Sequence, residues 1–325
     1  MERISVIIPA FKRIEQTGKT IDLLIKSRGN GSEYELEVVV ADSTSDRSLE
    51  EALQHAFPTI VYTRPKKSGI AANKNQGARV ATANILIFCD SDMDVEPDTL
   101  SNTLRCLKSH QTGAIVGGQV IWKGGPRDGQ QDRPRPEDRR KHVETTTYIE
   151  ALYSRFVATY KDVFWQVGGY DEDVFNLRGE GADLSIRYWR AGFPLVYHES
   201  ILVHHVHDAP QSAALRVRHP EWGVAKDLLL LGYKYGMFDA EYDNFKDTIV
   251  ANFQSLGEES SYRLLEGIGK QFDFITEVKE ALDTFRRQDS PRYDFKFLEV
   301  FSDVPLFSAC ITTAAERIEQ AIRGK

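Results

Sequence analysis

The chain has 325 residues, 41% of them hydrophobic and 27% charged, a balance that builds one large or two modest globular domains and excludes a disordered chain. Its net charge of -7 argues against nucleic-acid binding, which needs a basic surface. Cys89, Cys106 and Cys310 sit at no metal-ligand spacing, so a disulfide framework and a thiolate metal site are both excluded and a reducing compartment is expected.

The opening "MERISVIIPAFKR" enters a short apolar run with no small-residue cleavage site, and no stretch approaches the length of a membrane span. A cytoplasmic protein is expected, with peripheral attachment to the inner membrane face left open. "ISVIIPA" (4–10) is a continuous β-branched run, the pattern of a strand buried on both faces. Ile14, Thr17, Ile21, Leu24 and Ile25 then recur at helical spacing until "RGNGS". "LEVVVAD" (36–42) is a second buried strand, "SLEE" (48–51) a capping box opening a helix, and "TIVYT" (59–63) a third strand. A helix over 68–82, a strand "ILIFC" (85–89), a helix from Pro97 and Asp98, and a strand "GAIVGGQVIW" (113–122) follow.

Residues 123–142 are rich in Pro, Gly and charge and read as a mobile surface loop, either a solvated linker or a segment that orders over a ligand. A helix is expected over 182–191, ended by Gly192, and a strand at "PLVYH" (194–198). From about residue 210 the patterns are helical, and Phe307, Cys310, Ile311, Ala314, Ile318 and Ile322 share one face that suits packing on the sheet domain or on another subunit. Alternating apolar strands and helices predict an α/β fold, a mostly parallel sheet flanked by helices, with a helical C-terminal extension. The expected division is 1–209 for the sheet domain and 210–325 for the extension.

Ligands in such sheets bind outside the carboxyl ends of the strands. Asp42 ends one buried strand; Asp90, Asp92 and Asp94 follow another. An Asp-x-Asp pair is frequent by chance, and "DED" at 171–173 also fits it, so position carries the argument. Hard oxygen ligands at a strand end suit Mg²⁺ or Mn²⁺ holding a phosphate-bearing ligand. Asp94 and Asp98 read better as turn or capping residues. "VHHVH" offers His204 or His205 as a remote ligand to the same metal, against an ordinary surface role. Glu180 and Asp183 share one lip of a helix start and could act as a general base; for Asp183 an i,i+4 pair with Arg187 is the competing reading.

The segments "ISVIIPAFKR", "EVVVADSTSD", "SGIAANKNQGARVATANILIFCDSDMDVEPDTL" and "FWQVGGYDEDVFNLRGEGADLSIRYWRAG" resemble, in this order, family 2-like glycosyltransferases of the GT-A fold, over roughly residues 3–207. The resemblance implies transfer of a sugar from a nucleoside diphosphate sugar, UDP-linked, to a carbohydrate or other hydroxyl acceptor, with Mn²⁺ or Mg²⁺. It implies Pro9, Ala10 and Phe11 along the nucleotide, and Asp42 on the base, although Ala41 and Ser43 depart from the family's "DDGS". It further implies Lys74 and Asn75 at the donor, Asp90, Ser91 and Asp92 as the metal motif with Asp92 the direct ligand, and His204 or His205 as the additional ligand. Trp165 and Tyr170 fall on the acceptor side, and both also suit a core. Where inverting members carry their base, this chain has Gly181, a pattern compatible with inversion and with retention. The alternatives are a sugar nucleotidyltransferase, which usually has a glycine cluster that "AFKRIEQTGKT" lacks, and a non-catalytic nucleotide-sugar-binding protein.

Overall fold

The structure is a computed structural model. It describes residues 1–206 except 111–113, 126–127, 133–140, 144–145, 149–151, 153, 174, 176–178 and 192. The chain divides into two units, Met1–Leu215 and Arg216–Lys325, and the described residues all belong to the first. The expected C-terminal helices, their apolar face, any subunit contact through them, and His207 lie outside the described residues.

Four strands, β1 (Glu2–Ala10), β2 (Tyr34–Asp42), β3 (Val61–Thr63) and β4 (Ile85–Cys89), pair in parallel in the order β3-β2-β1-β4. Their β-branched side chains alternate between two covered faces, which is why the runs are apolar without interruption. Ile4, Val6 and Ile8 face a core completed by Ile21 and Leu24 of α1 (Ile14–Ile25), Leu49 and Leu53 of α2 (Ser48–Ala56), and Leu100 and Leu104 of α4 (Thr99–Ser109). Ile7 faces the other way, onto α3 (Ile70–Val80), where Gly77 leaves it room: a Cβ there would stand 2.4 Å from Ile7 Cγ2.

Beyond β4 the sheet turns antiparallel. β10 (Phe156–Tyr160) pairs with β4 and with β6 (Ile115–Lys123), and β6 then runs parallel to β11 (Leu195–Val206). The short strands β8 (Lys141–Val143) and β9 (Thr146–Tyr148) complete this edge, and α5 (Lys161–Gln166) and α6 (Glu180–Arg190) flank it.

Four local expectations are corrected. "SLEE" forms no capping box; Asp46 Oδ1 accepts the Ser48 amide (2.9 Å) and hydroxyl instead. The proposed loop at 123–142 begins as a hairpin: β7 (Gln131–Asp132) folds back on β6, held by Gly129 N to Trp122 O (2.8 Å); residues 133–140 lie outside the description. A short strand absent from the sequence reading, β5 (Met93–Val95), pairs antiparallel with β11. The strand expected at 194–198 extends to Val206, so the histidines lie within it.

Candidate active site

The acidic motif leaves β4 where its ladder with β1 ends. The Asp90 amide donates to Arg155 O (2.9 Å), and Thr20 Oγ1 donates to the carbonyls of Ser91 (3.1 Å) and Met93 (2.9 Å). The turn is therefore stitched to α1 and to the start of β10. Pairing of β5 with β11 sets His205 opposite Met93 and His204 opposite Asp94. Successive strand residues point to opposite faces, and the histidines separate accordingly. His205 Nε2 lies 3.4 Å from Asp92 Oδ2, its ring 4.3 Å from the Trp122 ring, whereas His204 Nε2 lies 2.9 Å from Glu96 Oε1. Arg13, from the turn after β1, also pairs with Asp92 Oδ2.

Behind this mouth lies Lys74, wholly buried on α3. Its ammonium donates to Ser154 O (2.9 Å), stands 3.4 Å from Asp90 Oδ1 and 3.4 Å from Glu180 Oε1, and sits 5.3 Å from the Tyr170 ring centre. One cation thus serves two carboxylates. Burial pushes the Asp90 carboxyl up to about 6, with Lys74 pulling against it and Asp92 adding to the rise. Asp90 Oδ1 is buried and accepts no hydrogen bond. The same Glu180 oxygen, Oε1, also accepts from Ser154 Oγ (2.6 Å).

Several expected site residues have other duties. Asp183 is buried, accepting two hydrogen bonds from Arg187 (2.9 and 2.6 Å); the i,i+4 pair takes the carboxylate, and it is not offered as a base. Lys74, expected at the donor, points inward, and Asn75 exchanges hydrogen bonds with the backbone of Tyr170 (2.7 and 2.9 Å). Asp42 is buried with one oxygen on the Thr44 amide (2.7 Å) and the other on the Tyr62 hydroxyl (2.6 Å). Tyr170 is buried against Phe88 and Phe164, while Trp165 is partly exposed beneath Arg79. Pro9 and Ala10 end β1 buried, Phe11 is exposed beyond them, and Ser91 is buried. Asp94 is no solvated turn residue: it is buried and paired with Lys19 (2.7 Å) and Lys123 (2.8 Å). Burial would raise its carboxyl, but hydrogen bonds from Lys123 and Lys19 outweigh that and hold it below the ordinary value.

The model of glycosyl transferase family 2 matches residues 5–168, which is half of the chain. The chain belongs to this family. It is 34% identical over 125 residues to the uncharacterized glycosyltransferase YfnE of Bacillus subtilis, covering 37% of this chain and 30% of YfnE. It is 24% identical over 221 residues to a glucosyl-dolichyl phosphate glucuronosyltransferase of Haloferax volcanii, covering 62% of this chain and 69% of that protein. Among solved structures it resembles GalNAc-T7 with UDP, GalNAc and Mn²⁺, at TM-score 0.53 and 20% identity over 64% of this chain and 44% of that one. It also resembles the mannosyltransferase PcManGT of Pyrobaculum calidifontis with GDP-Man and Mn²⁺, at TM-score 0.53 and 15% identity over 99% and 82%. These likenesses establish the GT-A fold.

Within this family 2 chain, two carboxylates at one strand mouth are the donor types that suit Mn²⁺ or Mg²⁺, and an imidazole beside them suits the softer Mn²⁺ better than Mg²⁺. Asp90 Oδ1, buried and without a hydrogen bond although Lys74 stands 3.4 Å away, fits the same purpose. Among the described residues no group of three or more His, Cys, Asp or Glu is gathered as a metal site; Arg13 stands on Asp92 instead. Also among the described residues, no helix is long and apolar enough to cross a membrane. Sequence reasoning missed Arg13, Ser154 and Asn73 as site residues. Asn73, not Asn75, faces the ends of β1 and β2: its Nδ2 donates to Ala10 O and Ser43 Oγ (both 3.2 Å), and its buried Oδ1 accepts nothing. Helical spacing was the available signal, since 73 and 75 lie on different faces of α3.

Proposed function

We propose that this protein is a metal-dependent glycosyltransferase that moves a sugar from a UDP-linked donor to an acceptor hydroxyl. The observation that carries the reading is the approach of His205, from a strand far along the chain, to the Asp92 carboxylate. Such a convergence of a carboxylate and an imidazole at the sheet's ligand-binding edge supports a site for a diphosphate-bound cation. Mn²⁺ and nucleotides accompany the two similar solved structures.

In this reading Asp92 is the principal metal ligand, with Asp90 and His205 beside it, while His204 pairs with Glu96. The bound cation would neutralise the diphosphate and make it a better leaving group. Asp42 shapes the base pocket through the Thr44 turn and the Tyr62 hydroxyl, and Asn73 and Ser43 line its floor. Lys74 offsets Asp90 and Glu180 together and so sets the distance between the metal side and the acceptor side. Glu180, fixed by Ser154 and Lys74, orients the acceptor. Residues 1–209 carry donor and metal.

Thermal-shift measurements with a panel of nucleotide sugars, with Mn²⁺ and with EDTA, test this. A UDP-sugar should raise the melting temperature only when Mn²⁺ is present, and Asp92→Ala should lose the shift and at least about 10²-fold of donor turnover. Equal shifts in EDTA would remove the metal, and a response confined to GDP-sugars would remove the UDP assignment alone.

A further inference from the structure

Asp92 Oδ2 is addressed by two groups at once, the Arg13 guanidinium and His205 Nε2. All three side chains are mostly shielded, with 17% of Arg13, 11% of Asp92 and 14% of His205 exposed, so their charges are weakly screened by solvent. Arg13 comes from the turn that follows β1, where Lys12 takes a left-handed φ of 58° and its amide donates to Thr44 Oγ1 (2.9 Å). That turn joins the strand end beside Asp42 to the metal motif. Its own backbone geometry, set by Thr44, aims Arg13 at Asp92.

A divalent cation on Asp92 and a guanidinium on the same oxygen are like charges a few ångströms apart in a shielded site, and they exclude each other. We infer that Arg13 competes with the divalent cation for Asp92, and that a nucleoside diphosphate relieves the competition by offering Arg13 its phosphate oxygens instead. A planar guanidinium pairs with phosphate as readily as with carboxylate, so the side chain changes partner and keeps its charge matched. Metal and nucleotide then bind cooperatively, and by linkage each strengthens the other equally. Arg13 is here a positioning and coupling residue. The inference rests on the metal reading of Asp92 given above.

The test is Mn²⁺ titration of the full chain, followed by electron paramagnetic resonance of free Mn²⁺, alone and with UDP or GDP. Circular dichroism confirms folding of each variant. Arg13→Gln should tighten Mn²⁺ alone by about tenfold and shrink the tightening that the nucleotide brings; Arg13→Lys, which keeps a charge, should fall between it and the wild type. Unchanged or weaker Mn²⁺ binding in folded Arg13→Gln, with Asp92-dependent binding intact in the Arg13 background, overturns the competition. Mn²⁺ binding that survives Asp92→Ala undiminished, or a wild type that binds no Mn²⁺ with either nucleotide, overturns the metal reading itself and the competition with it.

Discussion

Asp183 and Glu180 illustrate how residues with the same charge, three positions apart on one helix, come to differ. Asp183 is sealed and bonded twice to Arg187, which also donates to Val167 O. Removing one partner of a buried ion pair leaves the other charge stranded, at a cost of about 3–5 kcal/mol. Asp183→Asn should lower unfolding free energy in urea by an amount of that order, while the fraction still folded keeps near-normal turnover. A folded, fully stable but inactive variant would return Asp183 to the chemistry. Glu180 has the opposite profile, tied at one oxygen by Ser154 and shared by Lys74 with Asp90. The i,i+4 pair that commits Asp183 was readable in the sequence as a competing role; the hold of Ser154 and Lys74 on Glu180 was not, because those partners come from distant segments.

At the scale of elements, two glycines are places where backbone approach governs the site. Gly181 stands one residue after Glu180 at the start of α6, and a Cβ there would meet Ser154 Cβ at 2.7 Å. Gly181→Ala gains about 1 kcal/mol of helix propensity against about 1–3 kcal/mol of overpacking. The packing cost should win, and urea denaturation should show Gly181→Ala less stable; the pair with Ser154→Gly should be closer to wild type. A stabilised single variant would show the helix start to be loosely packed. Gly118 on β6 is stricter, because a Cβ would lie 2.1 Å from Ile201 O, a backbone atom that no rotamer can move aside. It is the one residue of β6 between Gly117 and Gln119, where β11 passes four, His198 to Ile201, between Tyr197 and Leu202. The difference of three is odd, so the faces of β11 exchange across it. That exchange decides that His205, and not His204, turns toward Asp92. Gly118→Ala should therefore cost stability and also weaken Mn²⁺ binding; a loss of stability with unaltered Mn²⁺ affinity would separate the bulge from the site.

Across the whole molecule the site is held against the preference of its own charges. Asp90 has a folded-state pKa of about 6 against an ordinary 3.8. The folded protein then holds this proton more tightly than the unfolded chain, so the contribution of Asp90 to stability is complete below pH 4 and is lost as pH rises through 6. In EDTA, Asp90→Asn should be more stable than wild type at pH 8, by about 1–3 kcal/mol, with the gain vanishing toward pH 4. Denaturation curves at both pH values check this; a variant destabilised at pH 8 would mean that the pairing with Lys74 outweighs burial. A cation would supply the missing compensation.

What the sequence determined by itself is the helix-flanked parallel half of the sheet and the mouth of the site. Uninterrupted β-branched runs can be satisfied only in strands covered on both faces, and a carboxylate following such a run must fall at the sheet's edge. Local periodicity carries that information, so β1, β2, β4 and the placement of Asp42, Asp90 and Asp92 were legible. Tertiary structure alone decided the rest: that Lys74 faces inward to join Asp90 to Glu180, that Asn73 and not Asn75 reaches the strand ends, that Asp94 is a shielded carboxylate paired with two surface lysines, and that β11 turns His205 toward Asp92. Each of these depends on contacts between segments remote in the chain, where pairing register and competition for partners, and not local propensity, set the free energy.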